Sequence, residues 1–173
     1  MTWTINLELS MQVTSMNSEI TSLYGNRLRI RVCGLCWGGD QLLLINHRLP
    51  DRRNFWAPPG GGLEFGQSMD QALKQEFLEE TGLKVDIRDF RFAAEFIQLP
   101  LHAVELFFEV SAIGGILKTG IDPEMAPENQ IIMKTEFMTW DRLKAIPDTE
   151  KHGIFKNCQN MTDLKSMAGF YRI

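Results

Sequence analysis

Three glutamates, Glu76, Glu79 and Glu80, lie close together in a segment whose pattern predicts a helix from Met69 to about Thr81. At about 100° per residue, Glu76 and Glu80 project in nearly the same direction, and Glu79 lies beside them. The same side of the helix carries Met69, Ala72 and Leu73. Because the apolar side of a helix faces the protein, the acids are predicted to point inward rather than to form a solvated outer face.

The position of these acids calls for a compensating charge. Glu79 and Glu80 occupy the last helical turn, where the helix dipole disfavours a negative charge by about 0.3–1 kcal/mol. Converging carboxylates also repel one another, so either their pKa values rise or a cation neutralises them. Oxygen ligands without a nearby His or Cys favour magnesium, with manganese as the alternative, over zinc. The sequence therefore predicts a Mg²⁺ or Mn²⁺ site on this helix.

A block of prolines and glycines, residues 55–66, precedes the helix. Within it, Gly60, Gly61 and Gly62 let backbone carbonyls and amides approach a metal or a phosphate closely, because no Cβ lies in the way. A triple glycine alone is a weak signal. Followed by a capped helix with an acidic inward side, it indicates a site that backbone and carboxylate groups share.

The segment from Gly60 to Leu83 resembles the Nudix box, the signature of the Nudix hydrolase family. That signature is G-x5-E-x7-R-E-U-x-E-E-x-G-U, where U is a bulky apolar residue. The matching positions are Gly61, Glu76, Phe77, Glu79, Glu80, Gly82 and Leu83. The resemblance implies an α/β fold, an α/β/α sandwich with a mixed sheet, and hydrolysis of diphosphate linkages.

Two positions depart from the signature. Gln67 stands where its first Glu is expected, and Gln75 stands where its Arg is expected. The family's Arg mainly holds the acids in position, so its loss bears on rate and geometry more than on metal binding. Our hypothesis is that a neutral contact between the two amides has replaced an ion pair. The alternative is a degenerate box with weak activity.

The resemblance also implies roles for individual residues. Glu76, Glu79 and Glu80 would bind one or more magnesium ions, helped by the Gly60 carbonyl. A water would attack phosphorus, and a carboxylate would accept its proton. The catalytic candidates are Glu76 and Glu79 inside the box and, on a late polar loop, Glu128, with Glu124 behind it.

Residues before the glycine block are candidates for binding substrate. Arg48, Arg52 and Arg53 are predicted to hold distal phosphates, the alternative being ordinary surface arginines. Trp56 or Phe55 is predicted to stack on a base unless the ring belongs to the core. The remaining titratable candidates, His47, His102 and His152, lack ligand spacing and are predicted to be structural.

The surrounding pattern predicts the elements that position the box. A hairpin precedes it, with strands at Arg27–Trp37 and Gln41–His47. Ser68 and Gln71 form a capping box at the start of the helix, and Gly82 ends it. Later strands are predicted at Lys84–Ile87, Phe90–Gln98, Ala103–Ala112 and Ile131–Phe137, and short helices at Trp140–Ile146 and Thr162–Met167. This order predicts a mixed sheet covered by helices.

Residues 21–173 are predicted to form one domain behind an N-terminal extension, residues 1–20. In the extension, Trp3, Ile5, Leu7 and Leu9 alternate with polar residues, as in a half-buried strand. That segment is either an edge strand, which would also suit a homodimer contact, or a leader upstream of a second start at Met16. A short helix is predicted at Ser18–Tyr24.

Composition excludes several classes of protein. The 173 residues carry a formal net charge of −4 and no run of Lys or Arg, which argues against a nucleic-acid polymer or an anionic membrane as the main partner. No apolar stretch approaches the roughly 20 residues that cross a bilayer. The beginning of the chain does not look like a signal peptide, and three cysteines do not make a disulfide framework, so a cytoplasmic protein is predicted.

Cys33 and Cys36 form a CxxC within a predicted strand. Residues three apart on a strand point to opposite faces, so packing thiols are predicted rather than a redox or zinc motif. The function that the resemblance to the Nudix box implies is metal-dependent cleavage of a small nucleoside diphosphate derivative. ADP-ribose or a nucleotide sugar is favoured over dinucleoside polyphosphates and oxidised nucleoside triphosphates. The competing function is a binding module that senses a nucleotide without cleaving it.

Overall fold

A computed structural model describes residues 25–49, 51–121 and 130–173 of the chain. The predicted N-terminal strand, the helix at Ser18–Tyr24 and the loop with Glu124 and Glu128 lie outside the described residues.

The strands form one mixed sheet. They are β1 Arg27–Gly38, β2 Gln41–Arg48, β3 Asn54–Ala57, β4 Gly60–Gly62, β5 Leu83–Gln98, β6 Leu101–Gly115, β7 Ile132–Met138 and β8 Gly169–Arg172. Their order is β3-β2-β1-β6-β5-β8, with β4 paired to β1 and β7 paired to β2. The pairs β1–β6 and β5–β8 are parallel, and the other pairs are antiparallel. The central strand β1 thus touches both the glycine strand β4 and the long strand β6.

The helices are α1 Met69–Thr81, α2 Trp140–Lys144 and α3 Met161–Ser166, with 3₁₀ turns at Asp148–Glu150 and Gly153–Asn157. Helix α1 begins and ends as predicted. The Gln71 amide donates to the Ser68 hydroxyl at 3.2 Å, and the Gln71 side chain accepts from the Ser68 amide at 3.1 Å. Gly82 ends the helix with φ of 71°, a left-handed conformation that glycine adopts readily.

Two apolar clusters cover the two faces of the sheet. One joins α1 to the sheet through Leu73 and Phe77, which pack with Val32 and Leu43. The other joins the opposite face to α2 and α3 through residues such as Leu35, Phe107, Leu143 and Leu164. Helices therefore cover both faces, and the predicted α/β/α sandwich is confirmed. No described helix has the length and apolar composition to cross a membrane.

The structure corrects several details of the prediction. The two strands expected between Lys84 and Gln98 are one strand, β5, whose register against β6 shifts between Ile87 and Phe92. Such a bulge breaks the local alternation but keeps the pairing. The strands β3, β4 and β8 were not predicted, because three or four residues carry too little pattern.

Burial along α1 departs from the prediction at its first residue. Met69, predicted to face inward, is 42 % exposed, whereas Thr81 is fully buried. The Thr81 hydroxyl donates to the Phe77 carbonyl and accepts from the Leu83 amide, so its burial leaves the hydroxyl paired.

Cys33 and Cys36 are both buried, on opposite faces of β1, which confirms the prediction of packing thiols.

Candidate active site

Helix α1 brings Glu80 against the glycine strand β4. The Gly60 amide donates to Glu80 Oε2 at 2.8 Å, and only 7 % of Glu80 is exposed. Glu80 Oε1 lies 3.7 Å from His47 Nε2 on β2. No histidine lies near these acids in the sequence, and the pairing of β2 with β3 and β7 carries His47 to this position. One imidazole beside carboxylates is still far from the three or four N and S ligands typical of zinc.

Glu76 lies one helical turn earlier, against the next glycine. A Cβ added to Gly61 would overlap the Glu76 carboxylate, so only glycine permits this approach. Glu76 and Glu80 thus face the same three-residue strand, as their spacing on the helix predicts. The result is a partly buried carboxylate pair that lies against the backbone of the glycine strand.

Glu79 is partly buried and is held by a pair of amides. Gln75 Nε2 donates to Glu79 Oε1 at 3.0 Å, and Gln67 Nε2 donates to Gln75 Oε1 at 3.0 Å. The hypothesised contact between the two glutamines is confirmed. Because each amide both donates and accepts, the chain Gln67–Gln75–Glu79 orients the carboxylate without a positive charge.

The C-terminal end of α1 is tied down by backbone from elsewhere. The amides of Lys118 and Gly120 donate to the carbonyls of Thr81 and Glu80, both at 2.9 Å, and the Thr135 hydroxyl donates to the Glu80 carbonyl at 3.2 Å. These donors satisfy carbonyls that a helix end leaves open. The last turn, which carries two of the acids, is thereby held in place.

A second charged cluster lies next to the glycine strand, and sequence reasoning missed it. Arg31 on β1 and Glu105 on β6 are in register, and Arg31 Nε lies 3.1 Å from Glu105 Oε1. His152 Nε2 lies 2.8 Å from Glu105 Oε2. Arg31 is one of three arginines on β1 and Glu105 is one of two glutamates on β6, so the pairing of β1 with β6 was needed to single them out.

The environment of Glu105 favours its charged form. Burial by itself raises the pKa of this carboxyl, whereas His152 and Arg31 at contact distance lower it. The effect of these two partners outweighs that of burial, so the pKa of Glu105 lies below its ordinary value.

The predicted substrate-binding residues lie in different environments. Arg48 and Arg52 are exposed at the end of β2 and in the loop that follows. Arg53 is exposed, pairs with Asp51 at 2.6 Å and donates to the Thr149 carbonyl. Trp56 is 7 % exposed and packs in the core cluster on the α2 side of the sheet, which leaves its ring little surface to offer a base.

Within the described residues, no three Asp, Glu, His or Cys side chains are already grouped as ligands around one point. The donor chemistry nevertheless fits a hard divalent cation, because Glu76 and Glu80 present oxygens to a strand in which a Cβ would fill the available space. The Gly60 carbonyl accepts from Arg31 Nη2 at 3.1 Å. A carbonyl oxygen has two lone pairs, so one remains for another partner.

Known proteins resemble this chain in sequence. The sequence model of the NUDIX domain matches residues 26–156. An ADP-ribose pyrophosphatase of Methanocaldococcus jannaschii is 26 % identical over 125 residues, which are 64 % of this chain and 73 % of that protein. An octanoyltransferase of Myxococcus xanthus is 39 % identical over 71 residues, but this match covers 39 % of the chain and only 20 % of that protein.

Solved structures agree with the sequence match. A NUDIX hydrolase from Nitrosomonas europaea superposes with a TM-score of 0.65 at 17 % identity, covering 81 % of this chain and 88 % of that one. The NUDIX domain match extends over most of the chain and includes the acidic helix and the glycine strand. The chain therefore belongs to the NUDIX domain family and is a Nudix pyrophosphohydrolase.

Proposed function

We propose that this enzyme hydrolyses a nucleoside diphosphate linked to another group, with ADP-ribose or a nucleotide sugar as the favoured substrate class. The observation that carries the proposal is the convergence of Glu76 and Glu80 on Gly60 and Gly61. The name of the Methanocaldococcus jannaschii relative, an ADP-ribose pyrophosphatase, supports the choice of substrate class.

Three free thiols support a cytoplasmic location, since cytosolic proteins keep their cysteines reduced.

The proposed cofactor is Mg²⁺, with Mn²⁺ as the alternative. Glu76, Glu79 and Glu80 would hold it, together with the remaining lone pair of the Gly60 carbonyl. When bound, such an ion supplies positive charge to the diphosphate oxygens and activates water. The carboxylates in turn need that charge, because two of them lie at the negative end of a helix dipole.

The residues of the chain supply orientation and a proton acceptor. Gln75 holds Glu79 by one carboxylate oxygen, so the other can take the proton of the attacking water. Glu76 and, on the late loop, Glu128 are the other proposed catalytic carboxylates. A proton acceptor held by a neutral amide keeps its negative charge available, whereas an arginine partner would partly neutralise it.

The proposed phosphate contacts are the exposed Arg48 and Arg52. Arg53 would have to exchange its contact with Asp51 for one with substrate. Phe55 is half-buried, unlike Trp56, and is the better candidate for stacking on a base.

The test is release of phosphate or nucleotide from a panel of nucleoside diphosphate derivatives, with magnesium and with chelator. We expect cleavage that requires the metal and falls at least about a hundredfold in Glu80→Gln, because metal-site carboxylates act in the transition state. Asp70→Asn is the matched control, since Asp70 is an exposed acid of the same helix, paired with Lys74 at 3.1 Å. Equal activity of wild type and Glu80→Gln would refute the proposal.

A nucleotide sensor is the second candidate function. The two glutamines favour it, since they replace the charged residues of the box. Magnesium-dependent nucleotide binding without cleavage of any panel member would support this function instead.

A further inference from the structure

The buried cluster of Arg31, Glu105 and His152 has no part in the function proposed above. Glu105 is 6 % exposed and His152 is 8 % exposed, while 27 % of the Arg31 side chain reaches solvent. The Phe55 and Phe107 rings enclose the imidazole, at centroid distances of 6.2 and 5.7 Å. The cluster therefore lies mostly in the interior, beneath the glycine strand.

The hydrogen bonds of His152 determine which ring nitrogen faces Glu105. Its Nδ1 accepts from the Ile154 amide at 3.4 Å, so the ring hydrogen belongs on Nε2, the atom 2.8 Å from Glu105 Oε2. Neither Glu105 Oε2 nor Arg31 Nε has a partner in good hydrogen-bond geometry. The attraction within the cluster is thus mainly that between charges and dipoles at short range.

Arg31 connects this cluster to the active site. Its Nε faces Glu105, while its Nη2 donates to the Gly60 carbonyl at 3.1 Å. The amide of the same glycine donates to Glu80. Gly60 is therefore held from both sides, by Arg31 at its carbonyl and by Glu80 at its amide.

Burial of the Arg31–Glu105 ion pair is not expected to stabilise the fold by itself. Burying an ion pair loses hydration that the attraction often fails to recover, and apolar residues of similar volume usually stabilise a protein at least as well. The β4 strand consists of three glycines, which lack side chains to secure their own conformation. The hydrogen bond from Arg31 to the Gly60 carbonyl restrains this strand from outside.

We propose that Arg31 and Glu105 are positioning residues of the active site. Glu105, steadied by His152, orients the guanidinium, and the guanidinium holds Gly60 so that its amide meets Glu80. The consequence for catalysis rests on the proposed function of Glu80, whereas the consequence for Gly60 does not.

The first measurement is hydrogen exchange of the Gly60 amide by NMR, on the full chain without metal. In Glu105→Gln and Arg31→Lys we expect exchange about fivefold to tenfold faster than in wild type, relative to core amides of the same sample. Lysine keeps the charge but lacks the planar fork that reaches two partners. The matched control is Glu95→Gln, since Glu95 lies near His102 (3.3 Å) and Arg172 (3.6 Å) on β5, away from the glycine strand.

The second measurement is magnesium affinity by calorimetry, together with kcat and KM. Loss of a residue that supports a metal ligand weakens metal binding or activity by roughly 10- to 100-fold. We expect a change of that size in both cluster variants and none in Glu95→Gln. Unchanged Gly60 exchange in both cluster variants would overturn the positioning role. If both cluster variants exchange the Gly60 amide faster than wild type, but wild type neither binds magnesium nor cleaves substrate, the positioning role is upheld and only the proposed function is refuted.

Discussion

Glu80 and Gly60 are joined by a 2.8 Å hydrogen bond from the Gly60 amide to Glu80 Oε2, although one lies in the last turn of α1 and the other in β4. The bond ties the acidic helix to the glycine strand at the point where Arg31 holds the same glycine. Helix, strand and charged cluster therefore meet at a single residue.

Gly60→Ala should destabilise the protein by about 1–3 kcal/mol, as overpacking does. Gly60 has φ of 150°, and a Cβ there would overlap the Val32 carbonyl. Gly114→Ala is the control, because nothing lies within 4 Å of an added Cβ at that glycine. Urea unfolding measures both, and equal midpoints for the two variants would contradict the close approach of β4 to β1.

Gln75→Ala should lower kcat about tenfold while changing the free energy of unfolding by less than about 0.5 kcal/mol. The variant removes the amide that holds Glu79 Oε1, but Gln75 is exposed, so little packing is lost. Steady-state kinetics and thermal unfolding of the same samples separate the two effects. A kcat equal to that of wild type would mean that the orientation of Glu79 does not matter to the reaction.

Gln67→Glu and Gln75→Arg, which restore the charged residues of the Nudix box, test whether the contact between the two amides can be replaced by an ion pair. Gln67→Glu alone places a second carboxylate near Gln75 and Glu79 and should weaken stability, whereas adding Gln75→Arg should recover it. A double-mutant cycle should give a coupling free energy of about 0.2–1 kcal/mol, as for other exposed ion pairs. Strictly additive single effects would show that the two positions do not interact.

Glu105→Gln should lower the free energy of unfolding at pH 7 by about 2–3 kcal/mol, since it leaves the Arg31 charge without its partner. The folded-state pKa of Glu105 is depressed, so its contribution is present above the ordinary glutamate pKa of about 4.3 and is lost as pH falls through the folded value. The stability difference between variant and wild type should therefore shrink below about pH 4. Urea unfolding at several pH values measures it, and a difference that grows in acid would have the wrong sign.

The thiols should be slow to react in the folded protein. Burial raises the pKa of Cys33 and of Cys36 and raises that of Cys158, which is only partly buried, to about 11. At pH 8 the Cys158 thiolate is then scarce, and its alkylation should be on the order of 100-fold slower than that of a free thiol. Mass spectrometry after timed labelling checks this, and rapid modification of Cys33 and Cys36 would revive a redox role for the CxxC.

Trp56→Ala should act on stability rather than on substrate affinity alone. The buried ring belongs to the core cluster, and removal of such a side chain costs about 3–5 kcal/mol. Arg48→Ala, at an exposed position, should instead raise KM with stability unchanged within about 0.5 kcal/mol. A Trp56→Ala protein of wild-type stability with a raised KM would restore the sequence-based prediction of base stacking.

Local patterns in the sequence determined the elements whose signals are periodic or chemical. The capping box at Ser68 and Gln71, the stop at Gly82 and the acidic side of α1 follow from spacing along one helix, because 3.6 residues per turn place such side chains together whatever the rest of the chain does. The contact between Gln67 and Gln75 was hypothesised from their paired departure from the Nudix box rather than from helix geometry, since Gln67 precedes α1.

Tertiary structure alone decided what lies across strands. Arg31 and Glu105 are far apart in sequence and meet because β1 and β6 are parallel neighbours, a pairing that strand patterns do not specify. His152 reaches Glu105 from the start of the 3₁₀ turn at Gly153–Asn157. Sequence patterns likewise do not specify the contact of His47 with Glu80 or the burial of Trp56, because both depend on where β2 and β3 lie in the sheet. Every turn of a helix has the same geometry, whereas the contacts of a sheet join distant segments. The placement of the acids on α1 was therefore predictable, but the contacts of Glu80 with His47 and of Arg31 with Glu105 were not.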